Sequence, residues 1–100
     1  MLPHQRLRKS NTIENLWLYI LSLAKISPIY AYSLQKDIKE KFGFRPGKIT
    51  PYRVLYRLEK KGFVISDVKD KRRFYKITKS GERELGKAKF FLSQLVKIIS

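Results

Sequence analysis

Apolar residues in the first third of the chain recur at Ile13, Leu16, Trp17, Ile20, Leu21 and Ala24, a spacing that lines one face of a helix. Asn11 or Thr12 can cap that helix, with Glu14 three residues after Asn11 as in a capping box. It must end before Ser27-Pro28, because a residue ahead of proline is pushed out of the helical region. Leu34, Ile38 and Phe42 repeat every four residues with Lys36, Lys39 and Lys41 outside, which predicts a second helix from about Tyr30 to Phe42. Gly43 fits the left-handed residue that closes such a helix. Met1 to Lys9 shows no apolar period and reads as a mobile arm.

Beyond a loop punctuated by Pro46-Gly47, Thr50-Pro51 is a helix start: a capping hydroxyl, then a proline whose missing N–H costs nothing in the first turn. The third helix is expected from Pro51 to Lys61, stopping at Gly62. Alternating residues then predict two strands, Phe63 to Val68 and Arg73 to Thr78, joined by the polar turn Lys69-Asp70-Lys71-Arg72. Thr78 leads into a last helix from about Ser80. There Leu85, Ala88, Leu92, Leu95 and Ile99 step alternately by three and four, a coiled-coil-like seam that Phe91, Val96 and Ile98 widen. The fold class is therefore mostly α with a small β-hairpin: a winged helix-turn-helix with an added C-terminal dimerisation helix. Residues 1–10 form the basic arm, 11–79 the winged-helix domain and 80–100 the dimerisation helix.

Charge gives this order of elements a purpose. The chain carries 23 Lys+Arg against 8 Asp+Glu, a net +15. The cations cluster: Arg6, Arg8 and Lys9 in the arm, Arg45 to Lys61 around the third helix, and Lys69 to Lys79 in the hairpin. Such clustering is the footprint of a polyanionic partner. On the third helix, Pro51, Leu55 and Leu58 share one face while Arg53, Tyr56, Arg57 and Lys60 fall on the other. A core needs only the first set. Arg53 and Arg57, one turn apart, suit guanine edges in the major groove; Lys48, Lys60 and Lys61 suit phosphates. Lys69, Lys71, Arg72 and Arg73 crowd the hairpin tip, where like charges repel and serve no fold purpose. Phosphates would neutralise them. Phe74 and Tyr75 alternate across the returning strand and read as structural.

Three patterns, Pro28-x-x-x-Tyr32-x-Leu34, Thr50-x-Tyr52-x-x-Leu55-x-Arg57-Leu58-Glu59-x-x-Gly62 and Arg73-x-Tyr75-x-Ile77-Thr78-x-x-Gly81, resemble the PadR family of winged-helix transcriptional regulators over roughly Leu16 to Leu85. The resemblance implies that the third helix reads the major groove, the wing touches the backbone and the C-terminal helix dimerises. It places Tyr52 at the helix start, near DNA or packed beneath it, and Thr50 is counted with it among the DNA-contacting residues. Ala31 stands where the family has glycine and Pro51 where it has an aliphatic residue; neither change removes a DNA contact. The short C-terminal helix is similar to that of the smaller members.

The expected function is sequence-specific duplex-DNA binding by a homodimeric regulator, a repressor, with Leu85, Ala88, Phe91, Leu92, Leu95, Val96 and Ile99 at the dimer interface. A non-specific architectural chromatin protein and a small basic RNA-binding or ribosome-associated protein share the charge. The latter does not explain the seam or the order of helix and wing. The resemblance also allows a small aromatic effector near Trp17, Tyr19, Tyr30 and Tyr32, although core packing accounts for Trp17 equally well. No enzyme is expected: cysteine is absent, His4 is the sole histidine and lies in the arm, and no phosphate-binding glycine loop occurs. No cofactor or metal is expected. No apolar run reaches the roughly 20 residues of a membrane span and the start lacks a secretory h-region, so the expected address is the cytoplasm.

Overall fold

The computed structural model describes Met1 to Ser100. In chain order its elements are α1 (Pro3–Ser10), α2 (Leu16–Ile26), β1 (Ile29–Tyr30), α3 (Leu34–Phe42), α4 (Thr50–Lys60), β2 (Val64–Lys69), β3 (Arg72–Ile77) and α5 (Lys79–Ile99). Short 3-10 turns at Ile13–Asn15 and Ala31–Ser33 lead into α2 and α3. The expected fold class holds: helices dominate, and the hairpin β2-β3 forms the wing.

The apolar faces read from the sequence meet in one core. Leu16, Ile20, Leu21 and Ala24 of α2 lie against Leu34 and Ile38 of α3, Leu55 and Leu58 of α4, and Leu85 of α5. Burying each large aliphatic side chain is worth about 1.5–3 kcal/mol. No charged or polar side chain is buried among them, so the core makes no demand on the cations outside. Gly43 closes α3 at a φ of 82° and Gly62 follows α4 at 81°, the left-handed conformation that glycine adopts without strain.

The sheet is antiparallel in the order β1-β3-β2. Ile29 pairs with Tyr75 and Tyr30 with Phe74, so the predicted two-stranded hairpin gains a third, two-residue strand. The second helix accordingly begins later than expected, since Tyr30 is in that strand. The hairpin ladder continues to Lys69 opposite Arg72. Its turn is only Asp70-Lys71, both at positive φ (53° and 65°), the type I′ geometry whose twist matches the strands.

Three local expectations change. The arm is not without structure: Pro3–Ser10 is a helix with no buried residue. Pro3 sits in its first turn, and the Gln5 side chain accepts from the Leu2 N–H at 2.9 Å. Asn11 does not cap α2 but ends α1, donating its side-chain amide to the Leu7 carbonyl at 2.8 Å. Thr50 is inside α4 rather than at its cap, which is Ile49. Thr78, by contrast, caps α5 with its hydroxyl accepting from the Gly81 N–H at 3.0 Å. Only Gly81 and Leu85 of that 21-residue helix are buried. The rest carries α5 away from the domain along a molecule 48 Å in its longest dimension.

Candidate nucleic-acid interface

Pro51, Leu55 and Leu58 pin α4 to the core, all buried, and this anchoring turns the opposite face outward. Tyr52, Arg53, Tyr56, Arg57, Lys60 and Lys61 are all exposed. Tyr56 is 63% exposed, and the Lys60 ammonium rests over its ring at 5.5 Å. No acid forms an ion pair with any of these cations. Thr50 is only half-buried and Lys48 is exposed in the preceding loop. That loop is held back to α3 by the Gln35 side-chain amide, which donates to the Pro46 carbonyl at 2.7 Å. The face is therefore a rigid helix surface bearing unpaired cations and two projecting phenols.

The wing is tied to the same helix. The Ser66 hydroxyl of β2 donates to the Glu59 carboxylate of α4, and the Arg73 guanidinium donates to the Ser66 oxygen at 2.9 Å. Val64, Ser66 and Val68 share the α4-facing side of the hairpin with Ile77, Tyr75 and Arg73, by the register of the ladder. On this side Arg73 is exposed. On the other side Arg72 donates to the Tyr32 hydroxyl at 3.2 Å, its guanidinium 5.6 Å from that ring's centre. Lys69, the last residue of β2, and Lys71, in the turn itself, are exposed and without a partner. The four wing cations expected to act alike thus have three different settings. Tyr32, expected from the sequence in a family pattern and near an effector, is instead a partner of the wing; its pairing with Arg72 spans forty positions, and no local pattern signals it.

Burial raises the Tyr75 phenol above its ordinary range, since it disfavours the phenolate. Nearby Glu59 adds to this rise and Arg73 opposes it.

The expected seam divides. Leu85 is in the subunit's own core, and Ala88 and Leu92 are half-buried. Phe91, Leu95, Val96 and Ile99 are exposed, Phe91 by 65%. The aromatic residues expected around an effector do not line one cavity. Tyr19 packs edge-on against Phe42 and Phe44, each with centroids 4.8 Å away. Tyr30 and Tyr32 lie together beside the wing at 5.8 Å. Trp17 instead lines a groove of about 400 Å³ with Val54, Arg57, Phe63 and Glu84. No helix is long and apolar enough to cross a membrane.

A family profile described as the transcriptional regulator PadR-like family matches residues 20–87. Among solved structures, a transcriptional regulator from Clostridium thermocellum is similar with a TM-score of 0.77 and 25% identity, covering 99% of this chain and 95% of that one. A Thermoplasma acidophilum protein assigned as a transcriptional regulator is 32% identical over 83% of each chain, with a TM-score of 0.68. A PadR family transcriptional regulator from Eggerthella lenta gives 0.75 and 25% identity over 96% of this chain and 91% of that one. No curated protein matches the chain.

Proposed function

The chain belongs to the PadR-like family of DNA-binding transcriptional regulators, and within it we propose a homodimeric, sequence-specific repressor that inserts α4 into the major groove. One observation carries this reading: α4 presents Arg53, Tyr56, Arg57 and Lys60 outward from a buried apolar face, beside a wing bearing further cations. Arg53 and Arg57 read base edges, because guanidinium matches guanine O6 and N7 with two bonds. Thr50, Tyr52 and Tyr56 face the same groove. Lys48, Lys60, Lys61, Lys69, Lys71, Arg72 and Arg73 hold phosphates and fix the register without reading sequence.

Dimerisation through the distal part of α5, with exposed Phe91, Leu95, Val96 and Ile99 and half-buried Leu92, sets two recognition helices against a two-fold site about one DNA turn across. Leu85 supports this interface from within its own subunit, and Ala88 lies at its inner edge. The 11–79 unit then serves as the DNA-binding domain and 80–100 as the dimerisation helix. For a small aromatic effector, the Trp17 groove is the site favoured here, because Arg57 lies on its rim and would register the ligand.

Footprinting on promoter DNA with a competitor titration tests the reading. The expected result is a protected palindromic site that survives excess non-specific duplex. Equal competition by any duplex points to architectural binding, and preference for folded RNA overturns the assignment to duplex DNA.

A further inference from the structure

We infer that Tyr32 and Arg72 form a single phosphate-binding unit that joins the wing to the entry of α3, an inference that rests on the duplex-DNA reading above. Two contacts define the pair: the guanidinium lies 5.6 Å from the Tyr32 ring centre, and one of its N–H groups donates to the Tyr32 hydroxyl at 3.2 Å. Arginine has five N–H donors. Arg72 has no ion pair and no second side-chain partner, so most of that fork is free. Tyr32 accepts from Arg72, which leaves its own proton to donate. Guanidinium and phenol therefore present donors side by side and no carboxylate, a set that fits the oxygens of a phosphodiester.

Stability alone does not call for the arrangement. Tyr32 is 62% exposed and Arg72 is exposed, and a cation–π contact at such a site is weak. The strand and the turn that carry the pair are already joined through β1, where Tyr30 pairs with Phe74 and its ring lies 6.4 Å from the Phe74 ring. What the contact does is hold a long, flexible cation in one place. An arginine fixed before binding loses less rotamer freedom on meeting a phosphate than a free lysine does. Lys69 and Lys71, unpaired on the same hairpin, are the internal comparison.

The test is a double-mutant cycle on the full chain, with fluorescence anisotropy on a cognate duplex across a salt series. Tyr32→Ala and Arg72→Ala should each weaken binding by about tenfold and flatten the salt slope by about one phosphate. The double variant should be no weaker than either single one. Tyr32→Phe, which keeps the ring and loses the hydroxyl, should fall between. Sequence preference should stay unchanged throughout, and thermal melting of Tyr32→Phe should match the parent. Additive losses in the double variant, or full affinity in Tyr32→Ala, would overturn the pairing. Arg53→Ala separates the two levels of argument: if it weakens cognate binding while Tyr32→Ala does not, only the pair is lost. An unmodified chain that ignores duplex DNA overturns the functional reading and the pair with it.

Discussion

At the scale of single residues, the last pattern along the chain has a plain physical cause. Gly81 is buried in the first turn of α5, and a Cβ placed on it would lie 2.1 Å from the Phe63 carbonyl oxygen. Thr78 closes the same corner: its hydroxyl donates to the Gly62 carbonyl at 2.6 Å and accepts from the Gly81 N–H. Threonine and glycine thus seat α5 on the α4-β2 corner. Gly81→Ala should destabilise the chain by about 2–3 kcal/mol, as overpacking against backbone does, measurable by urea unfolding. Tyr75 supplies a pH dependence. Its phenol is held above the usual range, first by burial and then by Glu59. The fold favours the neutral form, so its contribution is complete below about pH 10, the unfolded value, and is lost as pH rises toward the folded one. Stability should therefore decline above about pH 10, and Tyr75→Phe should lessen that decline in unfolding curves taken at successive pH values.

At the scale of elements, the third predicted helix and the hairpin were legible because their signals are local. Thr50-Pro51, the apolar set Leu55 and Leu58, and Gly62 delimit α4 within one or two residues; the strands carry their own alternation. The two-residue β1 was not legible, since its extended state comes from pairing with β3 more than forty residues on. The helix at Pro3–Ser10 was missed because apolar periodicity is blind to a helix that buries nothing. For the candidate site, the charged face of α4 could be read from a helical wheel, but the separate settings of Arg72, Arg73 and Lys71 depend on tertiary contacts. Lys71 illustrates the difference. It occupies a positive φ in a type I′ turn, where a residue with a Cβ is strained by about 1 kcal/mol. Lys71→Gly should thus stabilise the hairpin by about 0.5–1 kcal/mol in thermal unfolding while weakening DNA binding at low salt. On α4, Arg53→Ala should cost about 1–3 kcal/mol at a cognate site and relax sequence preference, whereas Lys69→Ala with Lys71→Ala should weaken all duplexes alike. A change of sequence preference in the wing variant would reverse these roles.

At the scale of the whole molecule, charge and apolar surface make opposite demands. A net charge of +15 keeps copies of the chain apart until something neutralises or overrides it. Yet α5 leaves Phe91, Leu95, Val96 and Ile99 exposed in a row, and water penalises that surface by roughly 25 cal/mol per square ångström. The conflict is resolved by position. The α4 face and the hairpin concentrate cations, while the distal half of α5, from Phe90 to Ser100, carries only Lys97. In the proposed dimer two copies would meet along α5 with their most basic faces held apart, and a bound operator would supply the counter-charge. Leu92, half-buried against its own subunit, and Leu95, 37% exposed, stand at the centre of this stripe. Replacing both with Asp should give monomers by sedimentation without unfolding the domain, because Leu85 and the rest of the core are untouched. Affinity for a palindromic duplex should fall much more than affinity for a half-site, since only the linkage between half-sites is lost. A stable monomer of the unmodified chain at micromolar concentration would contradict this, and would leave the apolar row of α5 to some partner other than a second copy.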